Sequence, residues 1–168
     1  MNIIKIFCVV TCAGVLTASG PPAVASDDNS PDFKMSTMVK SLRHCLGSMR
    51  GSYLNPEARV SDQILESMGI PHKTTRLPDG NFLLSGCRVH SCDEKSAIIA
   101  TPEGAVVAAG LIHFQCHMAR RGIVDCADAP HLTLFVKPNS DRDVLSGELE
   151  SWARREAVIA VIETRRLR

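Results

Sequence analysis

Two cysteines five positions apart, Cys87 and Cys92, enclose the part of the sequence whose side chains are best suited to chemistry. A disulfide between them would close a six-residue ring and remove on the order of 2 kcal/mol of conformational entropy from the unfolded chain. The ring would display Arg88, His90 and Ser91. Because a rigid loop has little entropy left to lose on binding, these side chains are suited to entering a cleft lined with carboxylates.

The same ring has two other interpretations. It can be a staple that ties two strands together, with His90 as a solvated surface residue, because many disulfides are purely structural. It can also be a redox centre, although catalytic dithiols are separated by two residues and this pair is separated by four. The spacing disfavours redox chemistry and leaves the staple and the binding loop as alternatives.

The N-terminus predicts export. Lys5 precedes an apolar run from Ile6 to Leu16, and Ala23-Val24-Ala25 forms a small-x-small cleavage site. The apolar run is too short for a stable membrane anchor, so residues 1–25 are predicted to be a signal peptide. The mature protein is then expected in the periplasm or outside the cell, where disulfides persist.

A second cluster follows further along the chain. His113, Cys116, His117 and Cys126 have the residue types of a zinc or copper site. In an oxidising compartment a disulfide between Cys116 and Cys126 is favoured, with a metal site and free thiols as the alternatives. We predict that disulfide, no metal and no cofactor.

Charge and motif content narrow the function classes. The chain has 19 basic and 18 acidic residues, and Lys5 is the only charged residue of the signal segment. A mature protein of near-zero net charge is not expected to bind nucleic acid or a membrane surface. The sequence has no Gly-x-Ser-x-Gly elbow, no His-Glu-x-x-His and no phosphate-binding glycine loop. We therefore expect a binding protein, not an enzyme; a homodimer remains open.

Three segments predict helices. Apolar residues recur at helical spacing between Met35 and Met49, and Gly51 stands where this helix would end. Cys45 lies on that apolar stripe and is predicted to be the odd, buried thiol. A shorter helix is predicted from Asn55-Pro56 to Gly69, and a third over residues 141–156.

The region between the second and third helices has the composition of strands and turns. The predicted strands cover residues 81–86, 97–100, 105–114 and 131–136, with 157–162 as a last strand or helical turn. This order predicts an α+β fold with a single antiparallel sheet of about five strands and helices packed against it. Residues 26–32 are predicted to be disordered, and residues 33–168 to form one domain.

The segment from Cys87 to Cys92 resembles the loop of the Ivy family, the periplasmic inhibitors of vertebrate (c-type) lysozyme. That loop reads Cys-Lys-Pro-His-Asp-Cys, and Cys87, His90 and Cys92 match it in identity and spacing, with Arg88 matching as a cation. The flanking segments 77–86 and 96–111 resemble the strand before the family loop and the hairpin after it. The resemblance extends from Met35 to about Phe114 and is loose beyond that.

The resemblance implies a function for the ring. In the family the loop pushes its His into the lysozyme active site, so His90 would be the key contact and Arg88 an additional one at the acidic rim of the cleft. The expected partner is c-type lysozyme, and the expected role is evasion of host defence by a bacterium. Val89 and Ser91 replace the family Pro and Asp, which leaves the ring less stiff and removes a carboxylate that could orient the imidazole.

Overall fold

The computed structural model describes residues 34–118, 124–138 and 142–167. The predicted signal peptide, 1–25, and the predicted disordered segment, 26–32, lie outside these residues. Helices α1, α2 and α3 span Met35–Leu46, Val60–Glu66 and Arg142–Glu156. The strands are β1 (Arg50–Gly51), β2 (Ala58–Arg59), β3 (Ile70–Arg76), β4 (Phe82–Arg88), β5 (Ser91–Ala100), β6 (Val106–His113), β7 (Cys116–Met118), β8 (Val124–Cys126), β9 (His131–Val136) and β10 (Val161–Arg166).

The α+β class is confirmed, but the main sheet has six strands instead of about five. Its strand order is β10-β9-β6-β5-β4-β3, and two small sheets, β1-β2 and β7-β8, lie apart from it. The neighbouring strands pair antiparallel except β10, which runs parallel to β9. The sheet is therefore mostly antiparallel, which corrects the fully antiparallel prediction.

Of the six strands of the main sheet, β3 is the one that the sequence analysis did not predict. It forms one edge of the sheet, and most of its side chains are exposed. Strands are identified in a sequence by a continuous apolar run or by alternation of apolar and polar residues. An edge strand that is exposed to solvent needs neither pattern, so β3 could not be recognised in this way.

Helices cover both faces of the sheet. On one face Leu149 and Trp152 of α3 belong to a core cluster with Ile112 and other buried strand residues. On the other face Leu42 of α1 belongs, with α2 side chains and Phe135, to a second cluster. The central strands of the sheet lie between these two helical layers and are buried on both faces. This burial explains why their sequences are nearly continuous runs of apolar residues.

Two helix boundaries differ from the predictions. Helix α1 ends at Leu46 because Gly47 adopts a positive φ of 59°, which glycine enters without a steric penalty. Helix α2 begins at Val60, not at Asn55. The residues before it pair as the β1-β2 hairpin, whose connection occupies 52–57.

Buried Gln63 of α2 holds this connection in place. Its Oε1 accepts hydrogen bonds from the backbone N–H groups of Tyr53, Leu54 and Asn55 at 3.1, 2.7 and 3.1 Å. Its Nε2 donates to backbone carbonyls of the same hairpin. A buried amide satisfied in this way fixes the loop, because losing the side chain would leave several backbone groups without partners. Tyr53 is thereby positioned against the sheet.

Candidate functional site

The ring lies at the tip of the β4-β5 hairpin. Cys87 near the end of β4 and Cys92 near the start of β5 form the predicted disulfide, with their Cα atoms 4.8 Å apart. Cys87 is fully buried, whereas Cys92 is exposed. Arg88 pairs with Ser91, so only two residues form the turn itself. The disulfide thus closes a tight hairpin end, not a long loop.

His90 occupies the outermost part of this turn. Its backbone φ is 66°, in the left-handed region that is uncommon for a residue with a side chain. Its side chain is exposed, and within the described part of the chain it makes no hydrogen bond, ion pair or ring contact. An imidazole that does not pack back on its own sheet keeps both ring nitrogens available to a partner.

Val89, the other turn residue, is 48% exposed. One of its methyl groups lies so close to Gly69 that a Cβ added there would approach it to 2.9 Å. Gly69 therefore leaves room for the turn to rest on the connection between α2 and β3. The tip of the hairpin presents an apolar side chain beside the imidazole.

Arg88 does not point outward as the sequence suggested. Its Nη2 lies 2.6 Å from Glu66 Oε1, and its Nη1 lies 2.6 Å from Glu94 Oε2. The hydrogen bond to Glu94 raises the pKa of the Arg88 guanidinium, and the charges of Glu94 and Glu66 act in the same direction against partial burial. The side chain is only 29% exposed. Arg88 anchors the base of the ring to its own protein, and Ser91 is half-buried beside it.

A third polar residue, His72 on β3, approaches the disulfide. A ligand atom of its ring and the sulfur atoms of Cys87 and Cys92 lie within 4.8 Å of one another. Because both sulfurs are bonded to each other, neither is available as a thiolate, the form in which cysteine binds a metal. In the oxidised protein this group therefore has only one free ligand.

The second cysteine pair is also confirmed as a disulfide. Cys116 and Cys126 face each other across the β7-β8 hairpin with Cα atoms 4.0 Å apart. The bond removes both sulfurs from the zinc or copper set considered from the sequence. His113, which was part of that set, is buried at the end of β6, and its Nε2 lies 2.9 Å from Thr133 Oγ1.

Among the cysteines that the structure describes, Cys45 is the free thiol, as predicted. It is buried on the inner side of α1. Burial raises the pKa of its thiol, and nearby Lys137 only partly opposes this effect. A buried thiol that stays protonated is a poor nucleophile, so Cys45 acts as a core residue.

Comparison with known proteins yields no relative: no family model, no curated protein and no solved structure matches the chain. The resemblance to the Ivy family therefore depends on the loop residues and their flanking segments alone. The two disulfides are compatible with an exported protein. Among the described residues, no helix combines the length and apolar character needed to cross a bilayer. The fold and site define an α+β domain that presents a disulfide-closed, histidine-bearing hairpin.

Proposed function

We propose that this protein is an exported inhibitor of c-type lysozyme that inserts its Cys87–Cys92 ring into the active-site cleft. The observation that carries the proposal is the exposed imidazole of His90, which has no partner among the described residues and lies at the tip of a disulfide-closed hairpin. The protein acts by binding and not by catalysis. A bacterium would use it in the periplasm, or release it, to resist lysozyme of a host.

The chemistry of the target matches that of the tip. Lysozyme uses one carboxylic acid and one carboxylate on either side of a sugar-binding cleft. The imidazole of His90 carries at least one N–H donor in either protonation state and can hydrogen-bond to these groups. Val89 beside it supplies apolar contact area where the sugar ring would lie. Occupying that site excludes substrate, so inhibition is competitive.

The base of the ring supports this role by its rigidity. The disulfide fixes one side, and the ion pairs of Arg88 with Glu66 and Glu94 fix the other. A pre-ordered hairpin loses less conformational entropy on binding than a free loop. In this proposal His90 contacts the target, whereas Arg88 acts as a positioning residue. A direct contact between Arg88 and lysozyme would have to replace one of its two existing ion pairs.

Inhibition of a c-type lysozyme in a turbidity assay tests the proposal directly. We expect His90→Ala to weaken inhibition by at least about thirtyfold, which corresponds to roughly 2 kcal/mol, because the target carboxylates would stay desolvated without a partner. His44→Ala is the matched control, since His44 is an exposed histidine on α1. The proposal is wrong if the parent protein does not inhibit, or if the His90 and His44 variants inhibit equally well.

A second candidate function is that of an exported, disulfide-stapled binding or stress protein in which the ring is only structural. Two observations favour this candidate: Cys87 is completely buried, and Arg88 forms an ion pair with Glu66 of α2. Both connect the ring to the body of the protein. In that case, removing the disulfide would lower the free energy of unfolding while the parent protein showed no effect on lysozyme. The same turbidity assay therefore separates the two candidates.

A further inference from the structure

A cavity of about 400 Å³ lies between the β1-β2 hairpin region and the sheet, away from the ring residues. The residues that line it include Arg50, Tyr53, His113, Glu163 and Arg165. It is of the size that holds a small molecule. Strands β6 and β10 and the loop held by α2 all contribute, so the cavity exists only in the folded protein.

The least accessible polar group of this cavity is the His113 ring. It is 4% exposed, and the Tyr53 ring stands edge-on to it with the ring centres 4.9 Å apart. Nε2 is paired with Thr133 Oγ1, and a hydrogen bond with the Phe114 backbone also acts on the ring. The imidazole is therefore held in place and forms part of the cavity wall.

Charge indicates what kind of molecule this would be. Arg50 donates one hydrogen bond to the Glu57 carbonyl, and within the described ranges no carboxylate pairs with it. Arg165, by contrast, pairs with Glu163 at 3.1 Å. The cavity thus has one uncompensated positive charge, together with a carboxylate able to accept hydrogen bonds from hydroxyl groups.

We propose that this cavity binds a small hydroxylated carboxylate of the size of a sugar acid. The carboxylate of the ligand pairs with the Arg50 guanidinium, which suits planar two-point recognition of such a group. Hydroxyl groups of the ligand hydrogen-bond to the Glu163 carboxylate. This site is separate from the ring and does not depend on lysozyme inhibition.

Titration of the full mature protein with glucuronate tests the site, with glucose as the matched neutral probe. We follow the NMR signals of the Tyr53 ring and the His113 imidazole. Glucuronate is expected to shift both signals in a saturable way, and glucose at equal concentrations is not. Arg50→Gln should weaken glucuronate binding by at least about tenfold, because a charged hydrogen bond is lost. Arg76→Gln, which changes an exposed arginine on the opposite edge strand β3, should leave it unchanged.

Several outcomes overturn the proposal. Glucuronate producing no saturable shift, or glucose producing the same shift, would mean that the cavity holds only solvent. Equal affinities of the Arg50 and Arg76 variants would exclude recognition of the carboxylate by Arg50. If Arg50→Gln loses the dispersed NMR spectrum of a folded protein, Arg50→Lys replaces it. That variant keeps the charge but not the two-point geometry, and unchanged affinity would then exclude two-point recognition.

Discussion

The Arg88 guanidinium lies 2.6 Å from the carboxylate of Glu66, so the first residue inside the disulfide ring is bound to the last residue of helix α2. The other carboxylate oxygen of Glu66 accepts a hydrogen bond from Asn55 Nδ2 at 2.7 Å. One side chain therefore connects the ring, the helix and the loop before the helix. The orientation of the hairpin tip depends on this connection as well as on the disulfide.

Replacing Arg88 is expected to destabilise the protein more than replacing an ordinary surface arginine. Arg88→Ala would leave Glu66 and the mostly buried Glu94 without their cation, and we expect the free energy of unfolding to fall by about 1–2 kcal/mol. Arg43, which pairs with Asp62 at the surface, is the control, and Arg43→Ala should cost less than about 0.5 kcal/mol. Urea denaturation measures both values. Equal effects would contradict the anchoring role.

The two disulfides are expected to contribute differently to inhibition. Changing Cys87 and Cys92 together to Ala should lower the free energy of unfolding by about 2 kcal/mol and weaken lysozyme inhibition, because the turn becomes mobile while His90 is still present. Changing Cys116 and Cys126 together to Ala opens a larger ring and should cost about 3 kcal/mol. Inhibition should nevertheless persist at temperatures where this variant is folded. Denaturation and turbidity assays on both variants test the distinction, and loss of inhibition in the second variant alone would reverse it.

Acid is expected to destabilise the fold through His113. Burial lowers its pKa below the ordinary value of 6.5, with His131 acting in the same direction while Phe114, Glu163 and Glu94 oppose the shift. The unfolded chain therefore binds a proton more readily than the folded one. The stability that the fold gains from keeping His113 neutral is fully present above pH 6.5 and is lost as the pH falls through the folded-state pKa of His113.

The variant His113→Gln keeps a polar side chain but does not titrate. Urea denaturation at pH 7.5 and pH 5.5 should show a smaller loss of unfolding free energy in this variant than in the parent, because the other titrating groups are shared. An equal loss in both proteins would assign the acid sensitivity to other groups.

Two glycines are expected to respond in opposite directions to alanine. A Cβ on Gly86, in β4 just before the ring, would lie 2.7 Å from the Ile70 carbonyl oxygen, a backbone atom that cannot move aside easily. Gly86→Ala should therefore cost about 1–3 kcal/mol. A Cβ on Gly147 in α3 meets no atom of the described residues within 4 Å, so Gly147→Ala should stabilise the protein by about 0.5–1 kcal/mol. Thermal unfolding of both variants would show shifts of opposite sign, and shifts of the same sign would refute the prediction.

Features that depend on neighbours in the chain were predictable from the sequence. The apolar stripe from Met38 to Cys45 identified α1 and the buried thiol, because helical periodicity is a local property. The α+β class and helix α3 followed from the same kind of pattern. Both disulfides join cysteines at most ten positions apart, so proximity alone made their pairing the simplest one.

Features that depend on packing between distant segments were decided only by the tertiary structure. The ion pair of Arg88 with Glu66 joins residues on different elements, and no sequence pattern distinguishes it from an outward-facing arginine. The parallel pairing of β10 with β9 depends on the path of the chain through α3. The cavity that Tyr53 and His113 help to line arises because Gln63 fixes one loop against the end of β6. Such contacts follow from strand register and helix placement, which are set by the burial of the whole core and not by any short stretch of residues.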